Sequence, residues 1–193
     1  MPSDDFNRAD TTGPDLGANW TPISVGGFGA AGFQISSNVV VPATSLSSDR
    51  MTYYSGIVFG PDHFSECAVT VTGTSGGSGL GPTVRSIADG SCYRVVVNKA
   101  VSNNVQLGRF VAGSFTTLDT VTSAWVDGDV LRLEVVGNRL RYFRNGTQLS
   151  IDEIDPTPLA GGAPGISYSS TVTSGSVDNW NGGDFPTALM ARH

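Results

Sequence analysis

The sequence is short of the residue types on which many protein functions depend. Its 193 residues hold only 11 lysines and arginines against 17 aspartates and glutamates, for a net charge of −6. Binding to phosphate groups needs clustered cations, so this balance argues against nucleic acid and against an anionic membrane surface as partners. The chain also has no apolar run of about 18 residues, the length that predicts a membrane-spanning helix.

Histidine and cysteine are equally scarce, which excludes several kinds of site. The two histidines, His63 and His193, do not allow a Ser-His-Asp set to be built, and no Cys/His spacing resembles zinc ligation. Cys67 and Cys92 fall on predicted strands that flank a shared neighbour in one meander. That separation exceeds the reach of a disulfide, so we expect two free thiols.

Calcium is the one metal that the sequence leaves open. The carboxylates of Asp4 and Asp5, and those of Asp127 and Asp129, are the oxygen ligands that calcium prefers. The second pair is better explained as a turn that precedes a strand. We therefore expect neither a metal ion nor a cofactor.

What the sequence has in quantity is the composition of an all-β protein, with 25 glycines and many valines, threonines and serines. The clearest pattern lies in residues 127–148. Apolar and polar residues alternate in Val130–Val136 and again in Arg139–Arg144, as in half-buried strands. Gly137-Asn138 and Asn145-Gly146 are pairs typical of tight hairpin turns. The stretch predicts an antiparallel meander with one face in a core.

Together with other segments, this meander resembles the concanavalin A-like lectin/glucanase superfamily, and most nearly its laminin G-like jelly rolls. The other matching segments are Asp4-Asp5-Phe6, Leu16-Gly17-Ala18-Asn19-Trp20, Gly165-Ile166 and Val177-Asp178-Asn179-Trp180. The resemblance implies an all-β, two-sheet antiparallel jelly-roll sandwich, in which the first and last strands pair. We expect one jelly-roll domain in residues 1–183 and a C-terminal tail in residues 184–193.

Catalysis is not expected. Glycosidases of this superfamily carry an E-x-D-x-x-E arrangement on one strand, where alternate carboxylates share a face and flank one sugar bond. The nearest match is Glu153-Ile154-Asp155, but Pro158 stands at the position of the second glutamate. The segment also lies in a proline-rich crossover, so we interpret these acids as solvated side chains on a loop.

Aromatic residues suggest a sugar-binding groove on one sheet, where rings stack on sugars. Most of them fall on the apolar phase of the strands and are expected in the core. Tyr54 and Trp125 are the ones expected to be exposed, with Arg94 and Asn98 as polar neighbours. These four residues form the predicted carbohydrate site.

The acidic, glycine-rich chain and its DDFNRAD start also resemble modules of bacteriophage virion proteins. This resemblance implies a non-catalytic structural or adhesion module on a virion surface, as a capsid decoration or tail appendage with weak glycan binding. Because no export signal is visible, we expect synthesis in the host cytoplasm and release by lysis. Its partners would be other virion proteins, cell-surface glycans or further copies of the chain. The residues expected to dock on such a neighbour are Phe185, Pro186, Leu189 and Met190.

Two alternatives remain at this stage. One is a stand-alone, extracellular carbohydrate-binding protein of the lectin kind, and the more distant one is a degenerate glycoside hydrolase.

Overall fold

The protein is built from strands, and the described residues contain no helix. The computed structural model describes residues 1–13, 15–25, 28–29, 32–43, 49–71, 79–98, 103–169 and 175–185. The strands in chain order are β1 (Ser3–Asp4), β2 (Trp20–Ile23), β3 (Phe33–Ser36), β4 (Val39–Pro42), β5 (Arg50–Tyr54), β6 (His63–Thr70), β7 (Leu80–Ser86), β8 (Cys92–Asn98), β9 (Asn104–Val111), β10 (Ser114–Thr122), β11 (Asp129–Val136), β12 (Arg139–Arg144), β13 (Thr147–Gln148), β14 (Glu153–Ile154), β15 (Ala163–Tyr168) and β16 (Ser176–Asp184). None of the described segments is a helix able to span a membrane.

The strands form two antiparallel sheets that pack face to face. The nine-stranded sheet has the order β13-β12-β11-β6-β16-β4-β3, with β1 beside β16 and β14 beside β12. The seven-stranded sheet has the order β10-β9-β8-β7-β15-β5-β2. Apolar side chains of both sheets fill the space between them. The largest fully buried ones include Trp180, Tyr93, Tyr142, Tyr168, Phe6 and Phe33. The predicted two-sheet sandwich is confirmed.

The meander predicted in residues 127–148 is also confirmed. β11 and β12 pair so that Leu133 lies opposite Tyr142, and both side chains are buried. Asn145 and Gly146 close the next turn with positive φ angles of 48° and 78°. Asparagine and glycine adopt such angles at low cost, which is why this pair predicts the turn.

The predicted pairing of the first and last strands is present. Ser3 lies opposite Asn181, and Asp4 lies opposite Trp180. The Asp4 carboxylate accepts a hydrogen bond of 2.8 Å from the Trp20 indole N–H and a bidentate ion pair from Arg8. The ends of the described chain are therefore held together in one sheet.

The two cysteines are free, but the predicted reason was wrong. β6 does not form a meander with β7 and β8, because it pairs with β11 and β16 in the other sheet. Cys67 therefore lies in the nine-stranded sheet and Cys92 in the seven-stranded sheet, and both thiols are buried and unpaired. Burial raises the pKa of Cys92 to about 12 and raises that of Cys67 as well, so neither is a reactive thiolate.

Candidate functional site

The four residues of the predicted carbohydrate site do not come together. Tyr54 ends β5, where it is half-buried and its ring stacks on Trp180 with centroids 5.2 Å apart. Trp125 is only 5% exposed, and its indole N–H donates to the Val69 carbonyl at 3.2 Å. The expectation that Trp125 is exposed was wrong, because the segment before β11 folds this ring into the core between the sheets.

Arg94 and Asn98 lie on β8, on the face that points away from the core. The Arg94 side chain is buried, forms an ion pair of 2.7 Å with Asp49, and lies over the adjacent rings of Phe110 and Phe115. Asn98 is four residues further along the same strand. No finding tests whether either residue contacts a sugar, so that part stays a prediction.

The outer face of the seven-stranded sheet, where the groove was predicted, is largely covered by the protein itself. Tyr93 packs in the main core, so the alternation of β8 places Cys92 on the outer face. A second apolar cluster covers that face, and Phe28 packs on Phe110 with centroids 4.8 Å apart. The members of this cluster are Ile23, Phe28, Met51, Cys92 and Phe110. Aromatic rings on this face are thus mostly used in packing.

An open cleft lies at one end of the same sheet, where the chain leaves β5. β5 ends at Tyr54, and residues 55–59 form a loop. The cleft has a volume of about 370 Å³, within the range of roughly 300–1,000 Å³ that small-ligand pockets occupy. Its lining residues are Tyr53, Tyr54, Ser55, Ile57, Val58, Phe59, Ser86, Ile87, Ala88, Gly162 and Ala163.

The lining of this cleft is aromatic and hydroxylic, and it contains no Asp, Glu, Lys, Arg or His. Tyr54 contacts the Phe59 ring edge to face, with centroids 6.3 Å apart. The described residues offer no hydrogen-bond partner to the hydroxyl of either Tyr53 or Tyr54. Successive residues of a strand point to opposite faces, so Tyr54 packs against the main core and Tyr53 against the second apolar cluster, and each lines the cleft from its own side of β5.

A buried arginine beneath the cleft holds its loops in place. The Arg85 guanidinium donates to the carbonyl oxygens of Pro61 at 2.8 Å and Gly137 at 2.7 Å, and also to that of Leu159. It also lies 3.3 Å from the Asp62 carboxylate. These contacts fix the loops that carry Phe59 and Gly162. We call Arg85, His63 and the groups that these two residues bind the Arg85 clasp.

His63 completes the clasp as a neutral ring. Its Nδ1 donates to the Gly60 carbonyl at 2.8 Å, because a carbonyl oxygen only accepts, and its Nε2 accepts from the Arg85 backbone N–H at 2.9 Å. Burial lowers the pKa of His63 below its ordinary value. The Gly60 carbonyl, Asp184 and Asp62 oppose this effect, whereas the charge of Arg85 adds to it. Protonation of the ring would add a proton at Nε2, so that two N–H groups, that of Nε2 and the backbone N–H of Arg85, would face each other.

Mild acid should therefore destabilise the fold through His63. The neutral ring contributes fully above the unfolded pKa of about 6.5, and this contribution is lost as pH falls below that value towards the lowered pKa of the folded state. We expect the free energy of unfolding to fall by up to about 1.4 kcal/mol per pH unit below about pH 6.5. Urea titrations at about pH 7.5 and 5.5 measure this, since most carboxylates stay ionised there.

The matched control for this prediction is His63→Gln, whose side chain does not titrate. Its stability is expected to be lower than that of the wild type at neutral pH and to change little between the two pH values. An equal drop in both proteins would assign the pH dependence to other groups.

The interpretation of Glu153 and Asp155 as solvated loop acids was wrong. Glu153 is half-buried in β14, which pairs with β12, and Asp155 follows it. The Asp155 side chain is buried, with the residue 1% exposed, and it accepts hydrogen bonds from the Tyr93 hydroxyl at 2.7 Å and from Arg109 at 2.7 Å. Burial alone would raise the pKa of Asp155. Hydrogen bonds from the Thr157 N–H, Tyr93 and Arg109 outweigh that effect and hold the pKa below its ordinary value. The carboxylate anchors the crossover between β14 and β15.

The aspartates considered for calcium are engaged in hydrogen bonds. Asp4 binds Arg8 and Trp20, as described above, and Asp127 accepts from the Val71 N–H at 3.1 Å. Asp129 accepts from Arg144 and Asn145. Within the described ranges, no group of three or more His, Cys, Asp or Glu side chains is arranged to hold a metal ion. These hydrogen bonds give the carboxylates a structural role in the fold.

Of the four residues expected to dock on a neighbour, only Phe185 is described. It is half-buried against its own domain, with its ring centroid 5.9 Å from that of Phe64. Its N–H donates to the Asp62 carbonyl. The other three residues, Pro186, Leu189 and Met190, lie outside the described residues.

Comparison with known proteins identifies the architecture. No protein-family model matches the sequence, and no curated protein matches it. Solved structures do share its fold. The carbohydrate-binding module CBM66 from Bacillus subtilis aligns with a TM-score of 0.68 and 17% identity, over 86% of this chain and 96% of that one. A β-1,3-1,4-glucanase (lichenase) from a mouse hindgut metagenome aligns at 0.59 and 9%, over 94% and 97% of the two chains.

A third structure is the exoplasmic/lumenal domain of VIP36 in a Ca²⁺/Man3GlcNAc-bound form, with a TM-score of 0.58 and 9% identity over 95% of this chain and 92% of that one. The fold is a concanavalin A-like jelly roll. The jelly-roll fold that the resemblance implied is thus confirmed. At such identities the likeness shows the jelly roll alone and leaves the function to be argued from the site.

Proposed function

We propose that this jelly roll is a non-catalytic carbohydrate-binding module and that the cleft beside Tyr53 and Tyr54 is its binding site. The observation that carries the proposal is the lining of the cleft. Aromatic and aliphatic side chains there suit the apolar faces of sugar rings, side-chain hydroxyls suit sugar hydroxyls, and no lining residue is charged. The structural likeness to a carbohydrate-binding module supports it as analogy.

The distribution of carboxylates supports binding without hydrolysis. Glycoside hydrolysis by the usual route needs two carboxyl groups on either side of the scissile bond. The strands of the seven-stranded sheet contain one acidic residue, Asp119, and it accepts a hydrogen bond from the Tyr142 hydroxyl at 2.8 Å. Asp155 is engaged by Arg109, and its lowered pKa does not suit a general acid.

The proposal is tested by screening the purified protein against an array of glycans and then measuring affinity by calorimetry. Tyr54→Phe removes only the hydroxyl. We expect it to weaken binding by about 3-fold to 10-fold, as for the loss of one hydrogen bond between neutral groups, with no change in melting temperature. Asn98→Ala alters the site predicted from the sequence and is expected to leave affinity unchanged.

Three outcomes would contradict the proposed site or the proposed function. Binding that Asn98→Ala abolishes and Tyr54→Phe leaves intact would move the site to the outer face of β8. Binding to no glycan on the array would contradict the proposed function. Release of new reducing ends from a bound polysaccharide would contradict the non-catalytic reading and restore the glycoside hydrolase alternative.

Display on a bacteriophage virion surface, with other virion proteins as partners, stays a prediction about where the module works. It rests on the resemblance seen in the sequence. Co-sedimentation of the protein with purified particles tests it, and a protein that stays in solution beside intact particles would contradict it.

A further inference from the structure

The rim of the cleft exposes three aliphatic side chains. Ile57 is 50% exposed, Val58 is 95% exposed and Ile87 is 40% exposed. They come from two separate segments, the loop after β5 and the residues that follow β7, and they line the same cavity. Single exposed aliphatic residues are common, but a group that converges on one cleft marks a surface that a ligand covers.

The surroundings of these side chains restrict what that ligand presents to them. No charged group lines the cleft, and the polar groups of its lining side chains are hydroxyls at Tyr53, Tyr54, Ser55 and Ser86. A sugar hydroxyl or amide placed on Ile57 and Val58 finds no hydrogen-bond partner in these side chains. A methyl group placed there would instead bury apolar surface.

Building on the proposed function, we infer that the cleft binds neutral sugars that carry a methyl group in place of a hydroxymethyl group, that is, 6-deoxyhexoses. The ring of such a sugar lies in the cleft, and its methyl group contacts the aliphatic rim. N-acetylated sugars fit less well, because the acetamido group carries an N–H and a carbonyl that the rim side chains leave without partners.

Two pairs of sugars isolate this single feature. L-Fucose and L-galactose differ only in having a methyl or a hydroxymethyl group on the ring, and so do L-rhamnose and L-mannose. The affinities of the full-length protein for methyl glycosides of all four are measured by calorimetry or by ligand-observed NMR. We expect the 6-deoxy member of at least one pair to bind five-fold or more tightly than its hydroxylated counterpart.

Variants locate the preference at the rim. Val58→Thr is nearly isosteric and, at a side chain this exposed, leaves the core untouched. Combined with Ile57→Thr, it is expected to reduce the preference within the pair to less than two-fold. Ile151→Thr is the matched control, because Ile151 is also aliphatic and 85% exposed but does not line the cleft. It should retain the full preference.

The outcomes separate this inference from the function on which it rests. Equal or reversed affinities within both pairs, or a preference that persists in the double threonine variant, would overturn the 6-deoxyhexose assignment. Binding of other glycans on the array with no binding of these four sugars would overturn it too, and would leave the carbohydrate-binding function standing. An array with no bound glycan at all would overturn both.

Discussion

Replacing Trp180 with alanine should lower the free energy of unfolding by about 3–5 kcal/mol, the range for removal of a fully buried large aromatic ring. The ring is 0% exposed and joins the two sheets. It stacks on Tyr54 of the seven-stranded sheet and meets Trp20 with centroids 4.7 Å apart. Its indole N–H donates to Ser65 at 2.9 Å, and the Ser65 hydroxyl donates to the Gly165 carbonyl of the opposite sheet.

Urea unfolding followed by fluorescence and by circular dichroism measures this change, and agreement of the two probes supports two-state analysis. Trp180→Phe is the control that keeps an aromatic ring beneath Tyr54 and loses the indole N–H. Trp180→Phe should lower the free energy of unfolding by clearly less than Trp180→Ala does. Because Trp180 supports Tyr54, the alanine variant should also bind glycans less well at temperatures where it is still folded. An alanine variant as stable as the wild type would show that this ring does not hold the sheets together.

Replacing Arg85 with methionine should cost a similar amount, about 3–5 kcal/mol, for a different reason. Methionine keeps the aliphatic stem but removes every donor of the clasp. The Asp62 carboxylate, whose side chain is only 13% exposed, then loses a charged partner, and the carbonyl oxygens of Pro61 and Gly137 lose a charged donor. Hydrogen bonds from a charged group are stronger than those between neutral groups, so the loss exceeds that of an ordinary hydrogen bond.

The matched control is Arg139→Met, which removes an ion pair from the surface. Arg139 lies 2.7 Å from Asp152, but its side chain is 47% exposed, and such pairs contribute between about 0 and 1 kcal/mol. We therefore expect little change in its unfolding curve. Arg85→Met should also weaken glycan binding, because the clasp holds the loops that line the cleft. Equal stability of the two variants would contradict the structural role of the clasp.

The strands and turns were predictable from the sequence because their causes are local. Alternation of period two identifies β11 and β12, and the Asn145-Gly146 pair adopts the backbone angles that its residue types favour. Which sheet a strand joins is not a local property. β6 and β7 follow one another along the chain, yet they lie in opposite sheets. The alternation of apolar and polar residues has a period of two in either sheet, so it does not show which sheet a strand joins. The predicted meander of β6, β7 and β8 was wrong for this reason.

The site was harder to predict than the fold for the same reason. Asp155 looked solvated because its neighbours are prolines and polar residues, but Arg109, which binds it, is 46 positions away. Trp125 lies outside any alternating run, and nothing adjacent shows that it folds inward. The cleft did leave one local trace. Ser55-Gly56 interrupts an otherwise strand-like run, and this is where the chain leaves the sheet.

The position of β16 has a consequence for how the protein is made. This strand lies inside the nine-stranded sheet, between β6 and β4, and its Trp180 bonds to a residue 115 positions earlier in the chain. During synthesis, β6 and β4 each have an open edge until residues 176–184 leave the ribosome. Open edges pair readily with other chains, so the growing polypeptide is exposed to aggregation until this strand is made. Insertion of this one strand then joins the two halves of the sheet, places Trp180 beneath Tyr54 and completes the support of the cleft.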